Sequence, residues 1–167
     1  MEKNGKCFLI LPKVTQLIIM AKFIGEYKGK LDDKGRLVFP AGLKAGVPEN
    51  EPLKFVVKPG LFAPCLEIYT YAEWEKESEA LKAKLNFYRK EDSLFWRTYM
   101  RNRVVIEPDA KIGRFSLPKE LLDKAGIVKD VIFSGSDYKI ELWAIDRYEE
   151  AILPDEEYVP LAEKLLG

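Results

Sequence analysis

From Ile24 to Leu31 apolar and polar positions alternate, with Lys28 and Lys30 on one face, which predicts a short strand. The next stretch, Leu31-Asp32-Asp33-Lys34-Gly35-Arg36, has the composition of a turn, and Leu37-Val38-Phe39 is an apolar run that stops at Pro40. Phe23 to Leu43 therefore reads as a hairpin leading into a helix. Asp32 is placed to accept hydrogen bonds from backbone N–H groups within the turn, and Gly35 can take the positive φ that closes it. Arg36 leaves the turn four residues after Asp32, close enough for the carboxylate to steady its guanidinium without hiding it. Pro40 suits the first turn of a helix, where a missing N–H costs nothing, so a short helix is expected over Ala41 to Lys44.

The same order recurs downstream. Asp109-Ala110-Lys111-Ile112-Gly113-Arg114-Phe115-Ser116-Leu117-Pro118 repeats acid, lysine, Gly-Arg, three residues and proline, then runs into Lys119 to Gly126 as the first copy runs into Ala41 to Gly46. Beyond the turns, Phe55-Val56-Val57 answers Val131-Ile132-Phe133, Leu66-Glu67-Ile68-Tyr69 answers Ile140-Glu141-Leu142-Trp143, and Trp74 answers Tyr148. The period of roughly 75–78 residues is too long for a solenoid and indicates an internal duplication with pseudo-two-fold symmetry. Each half reads as hairpin, short helix, two strands and a longer helix. One difference separates the copies: Ala110 stands four residues before Arg114, and Asp109 lies one residue further back, so the second turn is longer or differently bulged and Asp109 is not expected to hold Arg114 as Asp32 holds Arg36.

Elsewhere the pattern gives Val47 to Pro52 as a polar loop, Leu53 to Val57 as a strand, a turn at Lys58-Pro59-Gly60, and Leu66 to Tyr69 as a half-buried strand. Trp74, Leu81 and Leu85 mark one face of a helix from Tyr71, and the charges Glu73, Glu75, Glu77 and Glu79 read as its solvated side. From Tyr88 to Asn102 aromatic and basic residues interleave, which suits either a single-stranded nucleic-acid platform or a packed helix. The Phe95/Tyr99 spacing, with Tyr88 a heptad earlier, favours packing. Ser134 to Asp137 reads as a hairpin turn, and the tail Asp155 to Gly167, with Leu161, Leu165 and Leu166 on one side, as a small helix lying on another subunit or a frayed end.

Taken together, the paired turns with Gly-Arg, three residues and Pro, the Gly60-Leu61 turn, Cys65-Leu66 leading into the Tyr69 strand, Trp74 after it and the closing Ile140-Glu141-Leu142-Trp143 strand resemble the MraZ family. The resemblance spans Met20 to about Ile152. It implies an α+β fold of two AbrB-like swapped-hairpin halves, 20–86 and 103–152, with a connecting helix over 87–102 and a tail over 153–167. It further implies a transcriptional regulator, read here as a repressor, of the division and cell-wall gene cluster, assembled as a ring of many subunits on spaced DNA repeats near a promoter. Residues 1–19, whose apolar runs are broken by Pro12, Lys13, Thr15 and Gln16, are too interrupted to span a bilayer and are read as an extension upstream of a start at Met20.

Composition adjusts this picture in three places. Lys+Arg and Asp+Glu each number 27, so the chain is neutral, yet Lys22, Lys28, Lys30, Lys34, Arg36 and Lys44 outnumber the acids around the first turn. One face can therefore be basic, as a duplex requires. Two cysteines, Cys7 and Cys65, without a CxxC spacing fit a reduced cytoplasm, and Cys65 is expected to face a core; a DNA-bound protein there would be nucleoid-associated. Histidine is absent, and no P-loop, G-x-S-x-G, H-E-x-x-H or metal spacing occurs, so neither enzyme chemistry nor a cofactor is expected, nor a membrane or small-molecule partner.

A two-stranded ribbon fits the major groove of double-stranded DNA, where an exposed Arg can bond two acceptors of guanine and neighbouring lysines neutralise phosphates. On that reading Arg36 contacts a base edge and Lys28, Lys30 and Lys34 position the hairpin, while Asp32 and Gly35 shape its turn. Arg114, with Lys111 and Asp109, is the second-half counterpart. The alternative, from another class, is a structural or protein-binding AbrB-like assembly such as an antitoxin, motivated by the zero net charge and the apolar side of the tail.

Overall fold

The structure, a computed structural model, describes residues 20–167; the extension expected over residues 1–19 lies outside the described residues. In chain order the elements are β1 (Glu26–Lys30), β2 (Arg36–Val38), α1 (Ala41–Lys44), β3 (Phe55–Pro59), β4 (Leu66–Thr70), α2 (Tyr71–Lys82), α3 (Lys90–Met100), β5 (Val104–Ile106), β6 (Arg114–Ser116), α4 (Lys119–Lys124), β7 (Asp130–Ser136), β8 (Lys139–Ala144), α5 (Ile145–Ala151) and α6 (Asp155–Leu166). Antiparallel pairing joins six strands in the order β1-β7-β8-β4-β3-β5, and β2 with β6 forms a separate two-stranded ribbon. The fold is thus mixed, an antiparallel sheet with helices.

The expected first hairpin opens immediately after its turn. Two backbone bonds, Asp32 N–H to the Arg36 carbonyl at 2.9 Å and Gly35 N–H to the Asp32 carbonyl at 3.1 Å, close the turn, and then β1 pairs with β7 while β2 pairs with β6. The strands part because their inward sides serve different layers. Gly29 lies against Val131 and Phe133 of β7, whereas Leu37 and Phe39 are buried beneath the ribbon. Likewise β5 pairs with β3 rather than with β6. Only the pairs β3/β4 and β7/β8 remain local hairpins, the latter turning at Asp137, whose φ is +64°, with Ser134 to Ser136 inside β7 rather than in the turn.

The main core lies between the ribbon and one face of the sheet. Phe39 stacks on Phe55 at 4.7 Å between ring centres and meets Phe115 and Phe133 edge-on, with Leu43, Leu121 and Leu122 from the short helices closing the sides. Each such fully buried side chain contributes about 1.5–3 kcal/mol, which fixes the ribbon rigidly to the sheet. Pro40 and Pro118 start the short helices as N-cap residues, their carbonyls accepting from Leu43 and Leu121 at 3.1 Å. Gly126, with φ +65°, ends the second one.

Helices α2, α3 and α5 cover the opposite face, so β4 is buried on both sides rather than half-buried. Tyr99 of α3 stacks on Trp74 of α2 at 6.0 Å and on Phe95 at 6.0 Å, the packing that their spacing predicts. Tyr88 does not share that stripe: it precedes the helix and is fully exposed. Cys65 packs with Ile132 and Trp143, and burial pushes its thiol up to about 12. Glu73, read as part of the solvated side of α2, is buried, as is Ser78.

Beneath these helices sits a charged cluster for which the sequence pattern gave no warning. Lys58 is only 3% exposed and donates to Glu67 across the β3/β4 pair at 2.5 Å; Lys139 of β8 donates to the other carboxylate oxygen. The Tyr69 hydroxyl donates to Glu77 at 3.1 Å. Burial alone would raise the Glu67 carboxyl, but the ammonium hydrogen bonds from Lys139 and Lys58 outweigh it and hold the group below its ordinary value.

Candidate nucleic-acid interface

The register of the ribbon decides what it presents. Arg36 faces Ser116, Leu37 faces Phe115 and Val38 faces Arg114. Leu37 and Phe115 are buried, so the alternate positions Arg36, Val38, Arg114 and Ser116 all point away from the core. The two arginines therefore stand diagonally on one outward face, roughly 7–8 Å apart at the backbone. Two matching bonds clamp the ribbon to its turns: Phe39 N–H to the Gly113 carbonyl at 2.8 Å and Leu117 N–H to the Gly35 carbonyl at 3.4 Å.

The first turn is organised by Asp32. Its Oδ1 accepts from the backbone N–H groups of Lys34 and Arg36, both at 2.9 Å, and its Oδ2 accepts from Arg36 Nε at 2.8 Å. The Arg36 N–H bond, foremost among these, holds the Asp32 carboxyl below its ordinary value. Because Asp32 takes Nε, the two terminal guanidinium nitrogens have no hydrogen-bond partner among the described residues and remain available as a fork. Gly35 has φ +74° with open space where a Cβ would stand, so its conformational freedom, not crowding, explains the glycine.

The second turn reaches the same end by a different route. Asp109 Oδ1 accepts from the N–H groups of Lys111, Ile112 and Gly113 at 3.0, 2.8 and 3.3 Å, and Oδ2 from the Arg114 N–H at 3.1 Å. These bonds, that from Ile112 first, lower its carboxyl. Both oxygens are occupied by backbone, so Asp109 shapes the turn without gripping the Arg114 guanidinium. This turn is one residue longer, since the carboxylate-to-arginine backbone pair spans 109 to 114 rather than 32 to 36.

Lys34 and Lys111 are exposed at the two turns, beside the arginine face. Lys28 and Lys30 are also exposed but belong to the other side of the sheet. Tyr27 and Leu31 turn into the core under the ribbon, and alternation sends Glu26, Lys28 and Lys30 towards α5, where the Tyr148 hydroxyl meets Glu26 and the two lysines border a recess with Ile145. Lys44, counted in the sequence only among the bases around the first turn, serves the second: a Cβ built on Gly113, whose φ is +79°, would stand 2.9 Å from Lys44 Nζ, so the short helix of one half supplies a cation to the turn of the other. The signal available for it was a lone lysine in a helix's last turn. No group of three or more His, Cys, Asp or Glu side chains converges as a metal site among the described residues, and none of their helices is long and apolar enough to cross a membrane.

Comparison with known proteins bears on this surface. A family model described as "MraZ protein, putative antitoxin-like" matches residues 22–98. The chain is 33% identical over 149 residues to transcriptional regulator MraZ of Christiangramia forsetii, a match covering 89% of this chain and 95% of the relative. It is 36% identical to the protein of that name from Flavobacterium psychrophilum, over 89% and 94% of the two chains. With that of Heliobacterium modesticaldum it shares 37%, over 86% and 96%.

Proposed function

This chain belongs to the MraZ family, and from that we propose that it is a DNA-binding transcriptional regulator whose β2–β6 ribbon enters the major groove. The observation that carries the reading is the shared outward face of Arg36 and Arg114, two forks on one narrow, rigidly backed ribbon. Arg36, aimed by Asp32, reads a guanine edge; Arg114 is its less constrained partner. Lys34, Lys111 and Lys44 sit where phosphates flank the groove, and Asp109 and Gly35 hold the turns in shape. Lys28 and Lys30, turned towards α5, are left out of this set.

The ribbon is made of one strand from each repeat, and the strand order β1-β7-β8-β4-β3-β5 reads the same from either edge when β1 to β4 are exchanged for β5 to β8. That equivalence supports two AbrB-like halves, 20–86 and 103–152, that swap their first strands about a pseudo-two-fold axis. A single ribbon makes few phosphate contacts, so useful affinity comes from several copies in a ring acting on repeated sites before a division and cell-wall gene cluster, as a repressor.

Titration of labelled duplex carrying repeated sites, taken from the genome upstream of such a cluster, tests this. Affinity is expected to fall by about 10³–10⁵ between 50 and 200 mM salt for a particle touching roughly 6–10 phosphates. A particle that ignores duplex at low salt while binding a stoichiometric protein partner would instead establish the antitoxin-like alternative.

A further inference from the structure

Helix α6 has no buried residue. Tyr158, Leu161, Ala162 and Leu165 recur at helical spacing along one side of it, and Tyr158, Leu161 and Leu165 are exposed. It is 12 residues long and carries Pro160 in its interior, which removes one backbone bond. A helix of that length is marginal by itself in water, so it depends on a surface to lie against. Asp155, Glu156, Glu157 and Glu163 against Lys164 make it strongly acidic.

A complementary surface exists on α3. Ser93, Trp96, Arg97 and Met100 follow the same i, i+3, i+4, i+7 spacing and, with Phe87 and Arg101, line a shallow open depression. Phe87 and Met100 are 46% and 40% exposed, so the depression has an apolar floor that water reaches. Arg97 and Arg101 border it, and neither forms an ion pair with any carboxylate among the described residues; nor do Asp155, Glu156 and Glu157. Each helix thus offers exposed apolar side chains, and the arginines bordering the depression are opposite in charge to the first turn of α6.

We propose that α6 of one copy lies in the α3 depression of the next copy, its first-turn carboxylates facing Arg97 and Arg101. This rests on the assembled particle of the proposed function and names the contact that builds it. Because the two surfaces differ, the contact is head-to-tail, the kind that closes into a ring when its rotation permits. The segment Ile152-Leu153-Pro154 after α5 acts as the strap. Every subunit then both gives and receives a helix, and the ribbons are carried around the ring in fixed spacing.

Native mass spectrometry of the full chain without DNA tests the contact. Arg97→Glu/Arg101→Glu and Asp155→Lys/Glu156→Lys/Glu157→Lys alter exposed positions only, and each is expected to raise the concentration for half-assembly by about tenfold or more. The two sets combined in one chain are expected to reassemble, and an equal mixture of the two defective chains is expected to form alternating particles. Wild-type mass in either variant overturns the contact, as does loss of mass that neither combination nor mixing restores. An α3 variant that stays assembled but loses affinity for single-stranded DNA would make that face a nucleic-acid platform and overturn it too. A wild-type chain of single-subunit mass would fell the assembled particle itself, whereas an assembled wild type with indifferent variants fells this contact alone.

Discussion

Arg36→Ala is expected to abolish the sequence-specific complex in a gel-shift assay while leaving the particle's mass and melting temperature unchanged. The Asp32–Arg36 pair is partly exposed, with side-chain exposures of 38% and 31%, so water already screens it and the fold does not depend on it. On DNA the same side chain has more to lose. A bidentate contact to guanine is worth about 1–3 kcal/mol of discrimination, and the loss repeats in every subunit that holds a site. Arg36→Lys separates charge from shape: it keeps the cation but lacks the fork, so salt-sensitive non-specific binding survives and the preference for the operator does not. Unaltered affinity in Arg36→Ala would remove this residue from the site.

Glu67→Ala acts on the fold instead. It strands Lys58 and Lys139 beneath the helices without their shared carboxylate, and breaking a buried pair in this way costs about 3–5 kcal/mol. For a chain of this size that is a fall of roughly 6–20 °C in thermal midpoint, read by circular dichroism. Replacing Lys58, Glu67 and Lys139 together by apolar residues of similar volume is expected to recover part of it, because only Glu77 and Glu141, at 3.8 and 4.0 Å from the two ammonium groups and nearer to water, then lose a partner. The pH dependence carries the same signature. Glu67 titrates below its ordinary 4.5 in the fold, so its contribution is complete above the unfolded value and is lost as pH falls through the folded one. Glu67→Gln is expected to lack that acid step; a variant as stable as the wild type at neutral pH and equally acid-sensitive would contradict the assignment.

The turns were legible because their chemistry is local. An Asp whose oxygens collect the next few N–H groups, a Gly at positive φ and an Arg at fixed offset leave a spacing that a single sequence carries. Partner choice is not local. Nothing in the alternation of Glu26 to Lys30 distinguishes pairing with β2 from pairing with β7, about a hundred residues away, and only the resemblance to a swapped-hairpin family pointed to exchange. The same ignorance misplaced Lys28 and Lys30: period two puts them on one face, but which face meets the ribbon depends on the core beneath Tyr27. Lys58 next to Pro59 resembled a turn, and Glu67 resembled the wet side of a half-buried strand. Helices folding over the far face turned both into buried ions, and that covering leaves no trace in the strand's own period.

The central claim is that duplex DNA lies against the Arg36/Arg114 face. Modification of arginines by phenylglyoxal, quantified by mass spectrometry with and without the operator duplex, tests it directly. Arg36 and Arg114 are expected to be protected by DNA, and Arg89, before α3, to react equally in both states. Protection at Arg89 with Arg36 and Arg114 still reactive would contradict the account.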